Sequence, residues 1–257
     1  MTRSGLITVV VPSLDQGRFL ACALDSILRQ ELPLEIILMD GGSTDETRDV
    51  IHRYQQHLHY WQSRPDGGQA AAINAGIARG TAPLVCWLNS DDFFYPGALV
   101  RLKNGLESKP SSPFVFGHAW HVNEAGRKRF PYLTLPYQRT LLANYCGICQ
   151  PAVLIRRSCW EAVGGLDESL QLAFDYDLWF RLGERFGPPA RSAGFLAGNR
   201  MHNASKTSEN LDRHYDESIE VVQRHFGRVP IKWRLLRPVM RIARNLARRA
   251  RSGPGRD

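Results

Sequence analysis

The sequence has no uninterrupted run of about 18 apolar residues, the length a bilayer-crossing helix needs, so no transmembrane span is expected. Its first residues, Met1-Thr2-Arg3-Ser4-Gly5, pass straight into a β-branched stretch without the apolar centre of a secretion signal. A cytoplasmic chain is therefore the expectation. Cysteines are few and odd in number, five in 257 residues. The close pair, Cys146-Gly147-Ile148-Cys149, has the spacing of half a zinc site, but no second pair or nearby His completes it. Buried thiols are expected there rather than a metal or redox centre. Repeats, low-complexity tracts and Gly/Ser linkers are also missing before the Arg-rich end, which reads as one mixed domain over residues 1–227 followed by a tail, 228–257.

The basic excess is local. The whole chain has 33 Lys/Arg and 25 Asp/Glu; ten and one of these fall from Arg228 onward, leaving 23 and 24 in residues 1–227. A nearly neutral body gives no reason to expect nucleic acid as a partner.

Apolar runs alternate with helical patterns. Ile7-Thr8-Val9-Val10-Val11 reads as a strand buried on both faces, ended by Pro12. Phe19, Leu20, Ala23, Leu24, Ile27 and Leu28 recur at helical spacing. A second strand covers 35–39, and Ser43-Thr44-Asp45-Glu46 has the pattern of a capping box opening a helix. A weaker strand is expected over 58–62, a small-residue helix over 69–79, and a fourth strand over 84–88. This β-α-β-α order predicts a Rossmann-like, mostly parallel sheet with helices on both faces. The later half, about 111–227, changes character: a strand enters a hairpin at Asn123-Glu124-Ala125-Gly126, and helices follow from Arg157 and from Asp175.

In a doubly wound sheet, ligands sit at the carboxyl ends of the strands. Ser13 and Asp15, Asp40, Asp66, and Asp91 with Asp92 occupy those ends in succession, which points to one shared site. Adjacent carboxylates at a buried strand end repel each other unless a cation neutralises them. A divalent ion such as Mg2+ takes oxygen ligands and holds substrate phosphates.

Six blocks, in order, give the chain its resemblance to the family 2 inverting glycosyltransferases of the GT-A fold. They are Thr8-Val9-Val10-Val11-Pro12-Ser13; Asp40-Gly41-Gly42-Ser43-Thr44-Asp45; Pro65-Asp66-Gly67-Gly68-Gln69 with Ala72-Ile73-Asn74-Ala75-Gly76; Asn89-Ser90-Asp91-Asp92; Gly164-Gly165-Leu166-Asp167-Glu168; and Asp175-Tyr176-Asp177-Leu178-Trp179-Phe180-Arg181. The resemblance implies a donor half over about 1–110 and an acceptor half over about 111–227. It implies transfer from a nucleotide-diphosphate sugar to the hydroxyl of a saccharide or lipid-linked acceptor, with inversion, in cell-surface polysaccharide or glycolipid assembly. Donor-binding positions carried over are Pro12, Ser13, Asp15, Asp40, Asp66, Gln69, Asn74 and Asp91. Asp40 and Asp66 match positions that meet the base and ribose. Asp92, with Asp91 and His202, would hold Mn2+ or Mg2+. Asp175 matches the general base, although Phe174 stands where the family commonly has Glu. Asp177 is the alternative, and two residues apart on a helix the pair point about 200° from each other.

Two further classes of function compete with this reading. A sugar-phosphate nucleotidyltransferase would want a Gly-rich basic loop after the first strand, and Ser13-Leu14-Asp15-Gln16-Gly17-Arg18 is not one. A non-catalytic nucleotide-sugar-binding protein would keep the fold without base or metal geometry. In the tail, Arg237, Arg241, Arg244, Arg248 and Arg251 form one stripe at helical spacing beside Val239, Ile242 and Leu246. This basic amphipathic pattern predicts a helix on an anionic membrane surface, with the protein peripheral on the inner face of the cytoplasmic membrane.

Overall fold

A computed structural model of the chain describes residues 6–202, 205–206 and 210–233. The arginine stripe of the tail lies outside the described residues. The first four strands are β1 (Ile7–Ser13), β2 (Leu34–Asp40), β3 (Tyr60–Ser63) and β4 (Leu84–Trp87). They pair in parallel in the order β3-β2-β1-β4. The crossovers are α1 (Gly17–Leu28), α2 (Thr47–Tyr54) and α3 (Gln69–Arg79).

Burial follows the pleat. Ile7, Val9 and Val11 of β1 pack with Leu20, Leu24 and Ile27 of α1 on one face, while Val10 packs with Ile73 and Ile77 of α3 on the other. Both faces being covered explains why β1 is buried at every position and runs Val9-Val10-Val11 without alternation.

The sheet then changes character. After the short β5 (Phe93–Phe94) and α4 (Ala98–Glu107) come β6 (Phe114–Val122) and β7 (Lys128–Tyr132), then α5 (Arg139–Asn144), β8 (Val153–Arg156) and α6 (Arg157–Ala162). The long α7 (Phe174–Phe186), β9 (Ala190–Arg200) and α8 (Leu211–Phe226) complete the described elements. β8 joins β4 antiparallel and β6 joins β8 antiparallel, while β9 runs parallel to β6 and antiparallel to β5. β7 hangs from β6 as the hairpin read from the sequence, turning at Asn123–Gly126.

Three local expectations are corrected. Pro12 does not end β1; it sits in register with Met39, and Ser13 with Asp40. Leu88 N donates to Val10 O, so Pro12, two residues on, turns its missing N–H to the side where β4 has already ended. The capping box does not form: α2 begins at Thr47, and the Ser43 hydroxyl donates to Asp40 instead. β3 starts at Tyr60, because Gln55–His57 close a short 3-10 turn before it.

The amino ends of the strands are sealed. Glu35 accepts from Thr8 Oγ1 at 2.7 Å, from Thr81 N and Oγ1 at 2.7 Å each, and from Ala82 N at 3.1 Å. Arg157 crosses from α6 to Thr8 Oγ1 at 2.8 Å. Against the upward push of burial, the bonds from Thr8, Thr81 and Ala82 hold the Glu35 carboxyl down at about 2.

Candidate active site

At the carboxyl ends the loops after β1 and β2 are tied to each other. Gly41 N donates to Ser13 O at 2.9 Å, Asp15 N to Ser43 Oγ at 2.8 Å, and Thr44 N to Asp15 Oδ1 at 2.8 Å. Gly17 N donates to Asp45 Oδ2 at 2.9 Å. Here a glycine is required, since a Cβ on Gly17 would lie 2.6 Å from Glu46 Cγ and Thr47 N. Asp15 holds its loop at φ 50°, a left-handed conformation uncommon outside glycine but least costly for Asp and Asn.

Asp40 is fully buried under this tie. It accepts from Ser43 N at 3.1 Å, from the Ser43 hydroxyl, and from Ser63 Oγ at 2.6 Å. Asp66 is exposed and caps its own turn through Gly68 N at 2.8 Å. A Cβ on Gly41 would come 3.4 Å from both Asp66 Oδ2 and Leu14 Cδ1. Leu14, 58% exposed, thus gives the acidic rim an apolar face. No spacing argument identified Leu14. The buried Ser13 hydroxyl has no partner in the described structure, so an unsatisfied donor stands in the same rim.

The two carboxylates after β4 part company. Asp92 turns inward and accepts from Arg200 N at 2.7 Å and Asn89 Nδ2 at 3.4 Å. Gln69 Nε2 donates to Asn89 Oδ1 at 2.9 Å, linking the start of α3 to this turn. Burial first, and then the Asp91 charge, hold the Asp92 carboxyl well above the usual range. Asp91 faces His202, with Nε2 to Oδ2 at 2.8 Å. The other ring nitrogen of His202 meets Arg18 Nη2 at 3.3 Å. A guanidinium only donates, so Nδ1 accepts and Nε2 carries the proton toward Asp91. Neither nitrogen then has a lone pair free, and His202 as it stands orients Asp91. Among the described residues no three His, Cys, Asp or Glu side chains converge as a metal cage. The donor set fits another kind of site, in which one or two carboxylates bind a hard divalent ion and substrate phosphates complete its shell.

Arg200 Nε also reaches Asp91 O at 2.6 Å, and its ring-flanked guanidinium lies 4.7 Å from Phe19. Arg18 and Arg200 escaped the sequence reading because their partners lie 184 and 109 residues away.

Asn74 is not brought to this rim. Its amide accepts from Leu166 N at 2.9 Å and donates to Leu166 O and Glu168, pinning the Gly164–Glu168 loop.

The carboxylates of α7 have opposite surroundings. Asp177 is fully buried and meets Arg181 Nε at 2.6 Å, His225 Nε2 at 2.7 Å and Arg224 Nη1 at 3.4 Å. Burial pushes its carboxyl up, but His225 and Arg181 outweigh that and hold it below the usual range. Asp175 has no ion pair among the described residues and accepts only from Tyr176 N at 2.8 Å. Burial pushes it up to about 6. Phe174, in place of the family's Glu, is buried in the apolar cluster with Tyr176 and Leu178. Trp179 is core as well, stacked on Trp87 at 6.1 Å.

Asp92 and Asp175 both lie near one buried thiol. The buried Cys149 thiol lies close enough to both for their charges, after burial itself, to keep it protonated. Cys146 is likewise pushed up by burial and by Asp175. The Cys146–Cys149 segment is thus a neutral wall between the two acids.

The glycosyl transferase family 2 model matches residues 8–164, and the chain belongs to that family. An uncharacterized glycosyltransferase of Rickettsia felis is 28% identical over 82% of this chain and 36% of its own length. Escherichia coli chondroitin synthase is 24% identical over 90% of this chain and 34% of its own length. The chain therefore spans about a third of the length of these curated relatives. The mannosyltransferase PcManGT of Pyrobaculum calidifontis, solved with GDP-Man and Mn2+, superposes with TM-score 0.66 at 16% identity, covering 99% of this chain and 77% of that one. That likeness shows a GT-A fold. No helix among the described residues is long and apolar enough to cross a membrane.

Proposed function

We propose that the chain transfers a sugar from a nucleotide-diphosphate sugar to an acceptor hydroxyl, with inversion at the anomeric carbon and with Mn2+ or Mg2+ as cofactor. The observation that carries this reading is the isolated Asp175 carboxyl, raised to about 6, across a neutral wall from the Asp91–Asp92 pair. A general base works best with a pKa near the working pH and no permanent counter-ion. Asp175 has both properties and Asp177 has neither, so Asp175 is the base that takes the acceptor's proton.

The rim of Ser13, Leu14, Asp40 and Asp66 receives the nucleoside, Leu14 offering an apolar surface and Ser13 an unpaired hydroxyl. Asp91, with Asp92 behind it, would hold the divalent ion, which when bound neutralises charge on the departing diphosphate. Asp92's raised carboxyl fits that role, since a cation there relieves the repulsion between neighbouring acids. His202 fixes the direction of Asp91, and the cationic Arg18 lies within reach of the same anions.

The relatives support a place in polysaccharide assembly, chondroitin synthase being one of them. A glycolipid acceptor remains within the same reading, with the basic tail as the expected membrane contact and the inner face of the cytoplasmic membrane as the expected location. The test is a thermal-shift panel of UDP-, GDP- and dTDP-sugars with and without Mn2+, followed by NMR of the product's anomeric configuration. One donor stabilising the protein only with metal, and an inverted product, are expected. No donor response from folded protein, or a retained configuration, contradicts the proposal.

A further inference from the structure

From Ala125 to Trp160 the chain has no acidic residue; Glu124 and Glu161 bracket the stretch. It also holds five of the ten large apolar residues exposed among the described ones: Phe130, Leu133, Leu135, Leu141 and Tyr145. These follow Arg127, Lys128 and Arg129, none of which forms an ion pair among the described residues. Among the described residues β7 pairs with β6 alone, so the apolar strip begins on a strand edge with no further partner there. Leu135, Leu141 and Tyr145 line one shallow depression with Leu142, Gly147 and Ile148.

Such a surface is costly in water unless something covers it. A second copy of this chain is a poor cover, because a two-fold contact pairs the strip with itself, and from Ala125 to Trp160 it holds no carboxylate to meet Arg127, Lys128 and Arg129. Cations without a carboxylate partner (Lys128 rests over the Tyr95 and Trp120 rings at 5.6 and 5.2 Å) beside exposed aliphatic and aromatic side chains match an anionic bilayer, where cations meet headgroups and apolar side chains enter the acyl boundary. The chain's own course agrees. Trp233 donates its indole N–H to Ala143 O of α5 at 2.8 Å, and Ile231 beside it is 72% exposed. The last described residue, Trp233, thus lies against α5.

We propose that the β7–α5 strip is a membrane-docking surface that seats the protein on anionic lipid. It connects directly to the site. Arg200 donates to Glu124 O in the hairpin turn and to Asp91 O, and Tyr132 Oη donates to Cys146 O at 2.5 Å, beside Asp175.

The test is co-sedimentation of the full chain with phosphatidylcholine vesicles with and without phosphatidylglycerol. Binding to the anionic vesicles alone is expected. Replacing Arg127, Lys128 and Arg129 by Gln should weaken it roughly fivefold per residue, at about 1 kcal/mol for each cation near the surface. The pair Leu133→Asp and Leu135→Asp should weaken it at least as much; Leu141→Ser with Tyr145→Ser replaces that pair if circular dichroism shows it misfolded. Unchanged binding of these variants overturns the proposal, as does failure of the wild type to bind. So does a dimer in light scattering that Leu133→Asp and Leu135→Asp split. Sedimentation needs neither donor nor turnover, so its failure leaves the transferase reading standing.

Discussion

The two ends of the parallel strands treat buried acids in opposite ways. At the amino end Glu35 is surrounded by donors and held down at about 2. At the carboxyl end Asp92 is pushed well up beside Asp91, Asp175 rises to about 6, and Ser13 Oγ is left unpartnered. One end is finished as a structural network, while the other keeps unsatisfied groups that a ligand and a cation would complete. Within α7 the same contrast is compressed into three residues, Asp177 being locked by Arg181 and His225 while Asp175 is left without a counter-charge.

If this contrast marks function, breaking the two ends should damage different properties. Asp175→Asn should lower kcat on the order of a thousandfold, the range expected for loss of a positioned general base, with donor affinity unchanged by calorimetry. Glu35→Gln should act on stability alone, costing about 3 kcal/mol in denaturant unfolding, since it leaves several donors around Thr8 and Thr81 imperfectly paired. The Glu35 carboxyl is lowered on folding, so its stabilisation is present above the ordinary 4.5 and lost as pH falls from there toward 2. Glu35→Gln should flatten that limb of the acid-unfolding profile. Asp92→Asn should do the reverse of Glu35→Gln. With metal chelated at neutral pH it should raise stability in denaturant unfolding, because a carboxyl that burial and Asp91 hold above its usual range penalises its own ionised form. Metal-dependent turnover should fall in the same variant.

How much of this was legible in the sequence follows the range of the contacts. β1, β2, β4 and α3 announce themselves in contiguous residues, and strand-end acids could be found by order alone. Pro12 misled because its strand outlasts its neighbour on one side, a fact of the β1–β4 register rather than of local propensity. Ser43 misled because Asp40, buried beneath it, outcompeted the helix end for its hydroxyl. The choice between Asp175 and Asp177 depends on His225 and Arg224, both on α8 and nearly fifty residues away. No periodicity reaches that far. Asn74 lies in a recognisable block, yet its amide is used on a loop whose position only the packed helices determine.

The central claim is that Asp175 is the base, poised by burial and set across the Cys149 thiol from Asp92. The most direct test is the pH dependence of kcat at saturating donor and Mn2+, in the wild type and in Asp175→Asn. A base must be ionised to accept a proton, so the wild-type rate should rise with pH through about 6 and level off above it. The residual rate of Asp175→Asn should show no such rise. A limb near 6 that persists in Asp175→Asn, or a variant that turns over like the wild type, would contradict the account.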